Sequence, residues 1–205
     1  GLAEDDRGKI IMACGTGKTF TSLRIAEDLA GNGKRVLYMV PSLALMSQTV
    51  REWKNDAIED FTAFSACSDI KVGKRSKNDD NVVLSLNDLA FPATTDASKL
   101  AEQIKNAEPD KMTVVFSTYH SIDVISRAQF EYDLEEFDLI ICDEAHRTTG
   151  ATLVGDDESN FVRIHSNDNV KGSKRLYMTA TPRIFGETAR QRADEGEVAL
   201  ASMDD

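Results

Sequence analysis

The residues best suited to chemistry in this 205-residue chain form two short clusters far apart in sequence. The first is Ala13-Cys14-Gly15-Thr16-Gly17-Lys18-Thr19. Glycines let the backbone turn tightly and bring its N–H groups up to phosphate oxygens. A helix opening at Lys18 would add positive potential at the same point. On this reading Cys14, Gly15, Thr16 and Gly17 cradle phosphates, the Lys18 ammonium reaches the β- and γ-phosphates, and the Thr19 hydroxyl ligates Mg²⁺. The usual spacing G-x-x-x-x-G-K-T is incomplete, because Met12 holds its first glycine position. The plain alternative is a glycine turn beside a surface lysine. A strand before the loop and a helix after it favour the phosphate site.

The second cluster is Asp143-Glu144-Ala145-His146, directly after the apolar run Leu139-Ile140-Ile141-Cys142. Adjacent carboxylates at the end of a buried strand are costly unless something uses them. Magnesium would: Asp143 would hold it, directly or through water. Glu144 would then orient or deprotonate an attacking water. A helix N-cap is the alternative for such an aspartate, and the phosphate loop elsewhere in the chain weighs against it.

The elements that must position these clusters are legible in outline. Lys9-Ile10-Ile11-Met12-Ala13 predicts a strand, followed by a helix from Lys18 to about Ala30 with Leu23, Ala26 and Ala30, together with Ile25 and Leu29, inward and Gly31 and Gly33 as stop signals. Residues 35–40 predict a buried strand ended by Pro41, and Leu43, Met46, Val50 and Trp53 follow at helical spacing. Further strands are expected over 61–66, 112–117, 137–142 and 175–179. Asp96 reads as the N-cap of a helix to about Asn106. A short helix is expected from Tyr119 to about Ala128, and a helical turn over 161–165. Residues 71–80 read as loop and 81–92 are ambiguous. The stretch from about Glu187 is weakly patterned and compatible with a helix.

Apolar strands alternating with helices, with no hairpin signal between them, predict an α/β fold whose mainly parallel central sheet is covered on both faces, a three-layer sandwich. Ligands of such sheets bind at the carboxyl ends of the strands. The polar clusters fall there: after the first strand, after Cys142, and at Thr179-Ala180-Thr181.

Composition is consistent with one soluble domain, at 41% hydrophobic and 29% charged residues. No apolar run approaches the roughly 20 residues of a membrane span, and the polar, acidic start resembles neither a signal nor a transit peptide. Cys14, Cys67 and Cys142 make no C-x-x-C pair and read as small buried hydrophobes in a reducing cytoplasm. His120, His146 and His165 show no metal-ligand spacing. A net charge of −11 argues against a generally basic nucleic-acid-coating protein. It leaves room for contact along one face through backbone N–H groups and hydroxyls.

Taken together the motifs resemble the N-terminal RecA-like P-loop NTPase domain of superfamily 2 helicases of the DEAH-box type. Residues 13–19 resemble motif I, in which the first glycine is often missing. Asp143-Glu144-Ala145-His146 is similar to motif II, and Thr179-Ala180-Thr181-Pro182 to motif III. Val40-Pro41-Ser42-Leu43 and Ser117-Thr118-Tyr119-His120 resemble motifs Ia and Ib. The resemblance runs in family order from Ile10 to Pro182. Wording around the motifs, such as Asp143-Glu144-Ala145-His146-Arg147-Thr148-Thr149-Gly150, narrows it to the translocase module of bacterial type III and single-chain type I-like restriction enzymes.

The resemblance implies ATP and Mg²⁺ as cofactors, with Lys18 and Glu144 catalytic and Thr19 and Asp143 on the metal. It implies that His146, Thr179 and Thr181 couple the nucleotide state to nucleic acid, and that Pro41, Ser42, Thr118 and His120 contact the nucleic-acid backbone. Double-stranded DNA is the expected partner. Residues 1–186 are expected to form the ATP-binding domain, and 187–205 to lead to a second RecA-like domain. That second domain would carry motifs IV to VI and an arginine finger; Arg147, Arg175 and Arg183 are not obvious substitutes. Nuclease and methyltransferase regions are expected elsewhere in a larger protein. The expected activity is ATP hydrolysis driving movement on duplex DNA, slow or silent in this domain alone. A DEAH-type RNA helicase, a small-molecule phosphotransferase and a non-catalytic nucleotide-binding interaction module are the rival readings; motif order weighs against the second, and intact Lys18, Thr19, Asp143 and Glu144 against the third.

Overall fold

The computed structural model describes residues 2, 4–67, 93–147, 150–153, 162–180 and 198–201, with 147, 150–153 and 198–201 described through their backbone. The elements in chain order are β1 (Arg7–Ile11), α1 (Lys18–Leu29), β2 (Arg35–Val40), α2 (Leu43–Asp56), β3 (Phe61–Ala66), β4 (Ala93–Thr94), α3 (Ala97–Lys105), β5 (Met112–Thr118), α4 (Ile122–Phe130), β6 (Leu139–Cys142), β7 (Gly150–Leu153), β8 (Arg175–Thr179) and β9 (Val198–Ala201). Short 3₁₀ turns cover Tyr119–Ser121, Ala145–Arg147 and Arg163–His165.

Seven strands form one sheet in the order β1-β8-β6-β2-β5-β3-β4, every neighbouring pair parallel. Strand side chains alternate between faces, and β2 shows what that alternation packs. Val36, Tyr38 and Val40 join Leu23 and Ala26 of α1 and Met46, Val50 and Trp53 of α2 in one core. Leu37 and Met39 join Leu100 and Ile104 of α3 and Ile122 and Ile125 of α4 in the other. The three-layer α/β sandwich expected from the sequence is therefore present, with both sheet faces dry, as parallel sheets require.

On the α1/α2 side the centre is aromatic. Trp53 meets Tyr38 edge-on at 5.1 Å and Phe116 at 5.7 Å. Such pairs contribute about 0.5–1.5 kcal/mol beyond area burial. Helix starts follow local chemistry. Ser42 Oγ accepts from Leu45 N–H to open α2, and Asp96 accepts from Ser98 and Lys99 N–H to open α3.

Departures from expectation have local causes. β1 begins at Arg7, ahead of the apolar run, where the ladder to β8 opens with Arg175 N–H donating to the Asp6 carbonyl at 2.7 Å; the Arg7 side chain donates to the His165 carbonyl at 2.9 Å. It ends at Ile11, where the chain leaves the ladder for the glycine loop that leads to α1. β6 begins at Leu139 because the Asp138 carboxylate accepts from Arg35 N–H and Lys34 Nζ, while Phe137 makes only an isolated bridge to Gly172. The helix expected from Tyr119 starts as a 3₁₀ turn and becomes α4 at Ile122. The C-terminal stretch that reads as compatible with a helix instead provides β9, antiparallel to β7. The loop over 71–80 and the ambiguous 81–92 lie outside the described residues.

Candidate active site

Strand order decides what meets. Sheet neighbours β1, β8 and β6 bring the phosphate loop, Thr179 and Asp143-Glu144 side by side at their carboxyl ends. Met12 N–H donates to the Thr179 carbonyl at 3.0 Å, so the loop departs from the end of β8. Thr16 closes it, both its N–H and its hydroxyl bonding to the Ala13 carbonyl, at 3.3 and 2.7 Å. Gly15 and Gly17 have φ of 76° and 92°, and no atom lies within 4 Å of where a Cβ would sit. Left-handed backbone, not crowding, is what demands glycine there. Met12 is not among the residues with positive φ, so its backbone has no need of the missing glycine.

Gly17 caps α1 without a side chain, and the first turn of α1 carries no acidic residue. Its leading N–H groups are thus offered to an external anion, with no carboxylate competing. Cys14 is exposed in this loop, which corrects the reading of it as a buried hydrophobe. The loop projects from the sheet end rather than packing into it. Cys67 and Cys142 are buried, and burial raises their thiols to about 11 and about 12.

Asp143 leaves β6 with its N–H donating to the Met39 carbonyl at 2.9 Å, while its own carbonyl accepts from the Tyr119 hydroxyl at 2.8 Å. Asp143 is only 7% exposed. Burial chiefly raises its pKa to about 6, and the neighbouring Glu144 charge adds to the rise. The Glu144 N–H donates to Asp143 Oδ1 at 2.9 Å, and Lys18 also opposes the rise. Glu144 itself has φ of 50°, a left-handed conformation costing about 1–3 kcal/mol for a side chain of this size. That turn aims its carboxylate at the loop. Glu144 Oε1 lies 3.7 Å from Lys18 Nζ, and Oε2 lies 3.4 Å from His146 Nδ1. His146 Nδ1 is also 3.0 Å from the Thr179 hydroxyl. Lys18, Glu144, His146 and Thr179 thus form one chain of polar contacts spanning the ends of three elements.

The site suits magnesium held largely by a nucleotide. Among the described residues no group of three His, Cys, Asp or Glu could form a metal cage. Mg²⁺ with nucleotide phosphates needs only one or two protein oxygens. Asp143 offers a buried carboxylate paired with no basic side chain among the described residues, and Thr19 a hydroxyl in the first turn of α1.

Pro41, Ser42, Thr118 and His120 follow the carboxyl ends of β2 and β5, at the same edge of the sheet, with different exposure. Pro41 is buried and Ser42 exposed at the start of α2. Thr118 is buried, its hydroxyl 2.8 Å from that of Ser121, and His120 is exposed. Thr181 and Arg183 lie outside the described residues, as does the Arg147 side chain. Arg175 is fully engaged at the opposite end of β8, donating to the Ile164, Gly172 and Val170 carbonyls and to Asn167 Oδ1. Two residues to which the sequence assigned no site role of their own touch the site's backbone: Tyr119, whose hydroxyl donates to the Asp143 carbonyl at 2.8 Å, and Trp53, whose indole N–H donates to the Thr19 carbonyl at 3.2 Å. The available signal was that a buried tyrosine or tryptophan must find a partner for its polar atom.

A family model described as type III restriction enzyme, res subunit, matches residues 3–184. Among solved structures, the chain is similar to an ATP-dependent type ISP restriction-modification enzyme, LlaBIII, bound to DNA. The match has 45% identity and a TM-score of 0.75, and covers 100% of this chain and 13% of that one. It is also similar to a nuclease-deletion mutant of the type ISP enzyme LlaGI in complex with a DNA substrate mimic, with 43% identity, a TM-score of 0.70, and 90% of this chain and 16% of that one covered. The helicase domain of Hef from Pyrococcus furiosus, at 18% identity and a TM-score of 0.54 over 94% of this chain and 34% of that one, shares the fold. A probable helicase of African swine fever virus is 31% identical over 182 residues, 89% of this chain and 18% of that protein. The chain therefore spans less than a fifth of the curated relatives it matches.

Proposed function

This chain belongs to the type III restriction enzyme res subunit family, as a superfamily 2 helicase N-terminal domain, and we propose that it is the ATP-binding half of a motor that moves on duplex DNA within a larger restriction-modification enzyme. The observation that carries the reading is the contact chain Lys18–Glu144–His146–Thr179, which ties a phosphate loop, an acidic pair and the end of a third strand into one polar unit.

In this reading ATP lies along the loop from Cys14 to Thr19, its phosphates meeting the α1 N-terminus and the Lys18 ammonium. Lys18 exchanges Glu144 for the γ-phosphate, which frees Glu144 to orient the attacking water. Thr19 and Asp143 would hold Mg²⁺, which when bound would supply positive charge to offset that on the transferred phosphoryl group. His146 and Thr179 pass the change at Glu144 to β8, and Thr181 continues that path. On the outer face, Ser42 and His120 present polar groups to DNA phosphates while Pro41 and Thr118 hold their backbones.

An arginine finger contributes about 10³–10⁵ in turnover. Arg175 is committed to carbonyls at the amino end of β8, away from the candidate site, so the 205-residue chain alone should bind MgATP and hydrolyse it very slowly. Full-length enzyme assayed with duplex DNA, single strands and RNA tests the reading. Duplex-stimulated hydrolysis lost in Lys18→Ala supports it. Stimulation by RNA in preference to duplex DNA would move the chain to the RNA helicases, and rapid turnover by the 205-residue chain would remove the need for a second domain.

A further inference from the structure

Both residues assigned to magnesium have their main-chain carbonyls held by the polar atom of a buried aromatic ring. The Trp53 indole N–H donates to the Thr19 carbonyl at 3.2 Å, where the Ser22 hydroxyl also donates at 2.7 Å. The Tyr119 hydroxyl donates to the Asp143 carbonyl at 2.8 Å. Trp53 and Tyr119 are each 0% exposed. They approach from opposite sides of the sheet, Trp53 in the core under α1 and α2 and Tyr119 in the core under α3 and α4. Each also belongs to a segment with an outward-facing polar end. Trp53 lies in α2, which opens at Ser42, and Tyr119 immediately precedes His120.

We infer that Trp53 and Tyr119 are positioning residues for the metal. They clamp the backbones of Thr19 and Asp143 and so fix where the hydroxyl and carboxylate stand for Mg²⁺. The inference rests on the magnesium assignment proposed above. Its physical basis is that a rigid ring locked by packing holds a hydrogen-bond partner in place with little residual motion. Trp53 is wedged against Tyr38, Phe61 and Phe116 at centroid distances of 5.1, 6.0 and 5.7 Å. Neither ring need touch nucleotide or metal to do this. The two bonds also make the path from the exposed ends at Ser42 and His120 to the metal ligands short: one helix on one side, one residue on the other.

The test is Mg²⁺ dependence of nucleotide binding by the 205-residue chain. The non-hydrolysable analogue AMP-PNP is titrated by calorimetry with Mg²⁺ and with EDTA, for wild type, Tyr119→Phe and Trp53→Phe. Loss of a group that orients a metal ligand typically weakens metal affinity by about 10–100-fold. Each variant should raise the half-saturating Mg²⁺ concentration by about that factor, while Mg²⁺-free AMP-PNP affinity stays within about twofold, set by Lys18 and the loop. Trp53 is the chain's single tryptophan, so its emission, titrated with Mg²⁺ in the presence of AMP-PNP, gives an independent readout in wild type and Tyr119→Phe. Equal losses with and without Mg²⁺ would mean a packing role only and would overturn the inference, as would an unchanged Mg²⁺ requirement in both variants. Tyr119→Phe removes a single oxygen and decides the matter should Trp53→Phe fold poorly. Wild type that binds AMP-PNP with no help from Mg²⁺ would instead sink the magnesium assignment itself, and this inference with it.

Discussion

Arg175 and Thr179 stand at opposite ends of the same five-residue strand, β8, and their surroundings could hardly differ more. At the amino end every demand is met. The Arg175 guanidinium is buried and donates to three carbonyls and an amide oxygen at 2.7–3.3 Å. Beside it Arg7 donates to the His165 carbonyl, and His165 Nδ1 lies 3.0 Å from the Tyr177 hydroxyl. At the carboxyl end groups are held in states they would not choose. Glu144 is left-handed, Asp143 is buried with its pKa raised to about 6, and the Lys18–Glu144 contact is a loose 3.7 Å. On the proposed reading one end is arranged for persistence and the other for ligands, at the edge where parallel sheets place them.

Substitutions at the carboxyl end should therefore change activity and spare stability. The largest effect is expected for Glu144→Gln. General-base or water-orienting groups contribute about 10²–10⁴ in rate, so duplex-stimulated ATP turnover of the full-length enzyme should fall by that factor, with AMP-PNP binding retained. Because the left-handed backbone and the side-chain volume persist, unfolding stability in urea should stay within about 0.5 kcal/mol. Retained turnover would take Glu144 out of the mechanism; a large stability loss would erase the contrast between the two ends.

The mirror experiment is Arg175→Met. It leaves three carbonyls and Asn167 Oδ1 without this donor in a buried place, and each unsatisfied group costs about 1–3 kcal/mol before relaxation. Stability should drop by about 3–5 kcal/mol overall, read from urea unfolding. AMP-PNP affinity of the folded protein should hold. A loss in affinity larger than the loss in stability would mean that Arg175 reaches the site after all.

The two ends also differed in how far sequence revealed them. Strands β2, β3 and β8 fall on the residues expected, because runs such as Val36-Leu37-Tyr38-Met39-Val40 are apolar throughout, as double-sided burial demands. The loop over 13–19 and the acidic pair stood out as candidates because the chemistry proposed for them depends on residue types at short spacing. Which strands lie next to one another was not, since order in a parallel sheet is set by long-range crossovers. The sequence therefore offered His146 and Thr179 as separate coupling residues, and strand order made them neighbours at 3.0 Å. The amino end stayed dark for the opposite reason. Arg175 reads as the polar edge of a strand, and nothing local says that a loop from Ile164 to Gly172 folds its carbonyls around it. β7 and β9 were missed because Gly150-Ala151-Thr152-Leu153 and Val198-Ala199-Leu200-Ala201 are short and dilute one β-branched residue each with small or helix-favouring ones; among the described residues they pair with each other.

Asp143→Asn sharpens the comparison through pH. A carboxyl with a folded pKa near 6, above the unfolded value near 3.8, binds its proton more tightly when folded. Its contribution to stability is therefore fullest below about pH 4 and is lost as pH rises to about 6, on the order of 3 kcal/mol in all. Asparagine removes that loss. In EDTA at pH 7 the variant should be more stable than wild type, by up to this amount and less if the amide finds no partner. Mg²⁺-dependent AMP-PNP binding should run the other way, weakening in wild type as pH falls through about 6 and absent in the variant. Urea unfolding at several pH values checks the first part. A less stable Asp143→Asn at neutral pH would mean that the buried carboxylate is better satisfied than its surroundings suggest.

Thr179→Val should produce the smallest change and the most specific one. It keeps the shape of the side chain and the Met12 N–H bond to the Thr179 carbonyl, and removes only the hydroxyl 3.0 Å from His146 Nδ1. One neutral hydrogen bond contributes about 1 kcal/mol net, and linkage between sites typically amounts to 1–3 kcal/mol, about 5–150-fold. The variant should therefore hydrolyse ATP at the wild-type basal rate while duplex-DNA stimulation of the full-length enzyme drops by about fivefold. The ratio of stimulated to basal rate is the decisive quantity, because His146 still reaches Glu144 at 3.4 Å and the hydrolytic groups are untouched. Equal falls in both rates would make Thr179 part of the chemistry rather than of the link to DNA. An unchanged ratio would mean that the signal leaves the site by the Trp53 and Tyr119 bonds instead, and then the carboxyl end of β8 would differ from its amino end in strain but not in purpose.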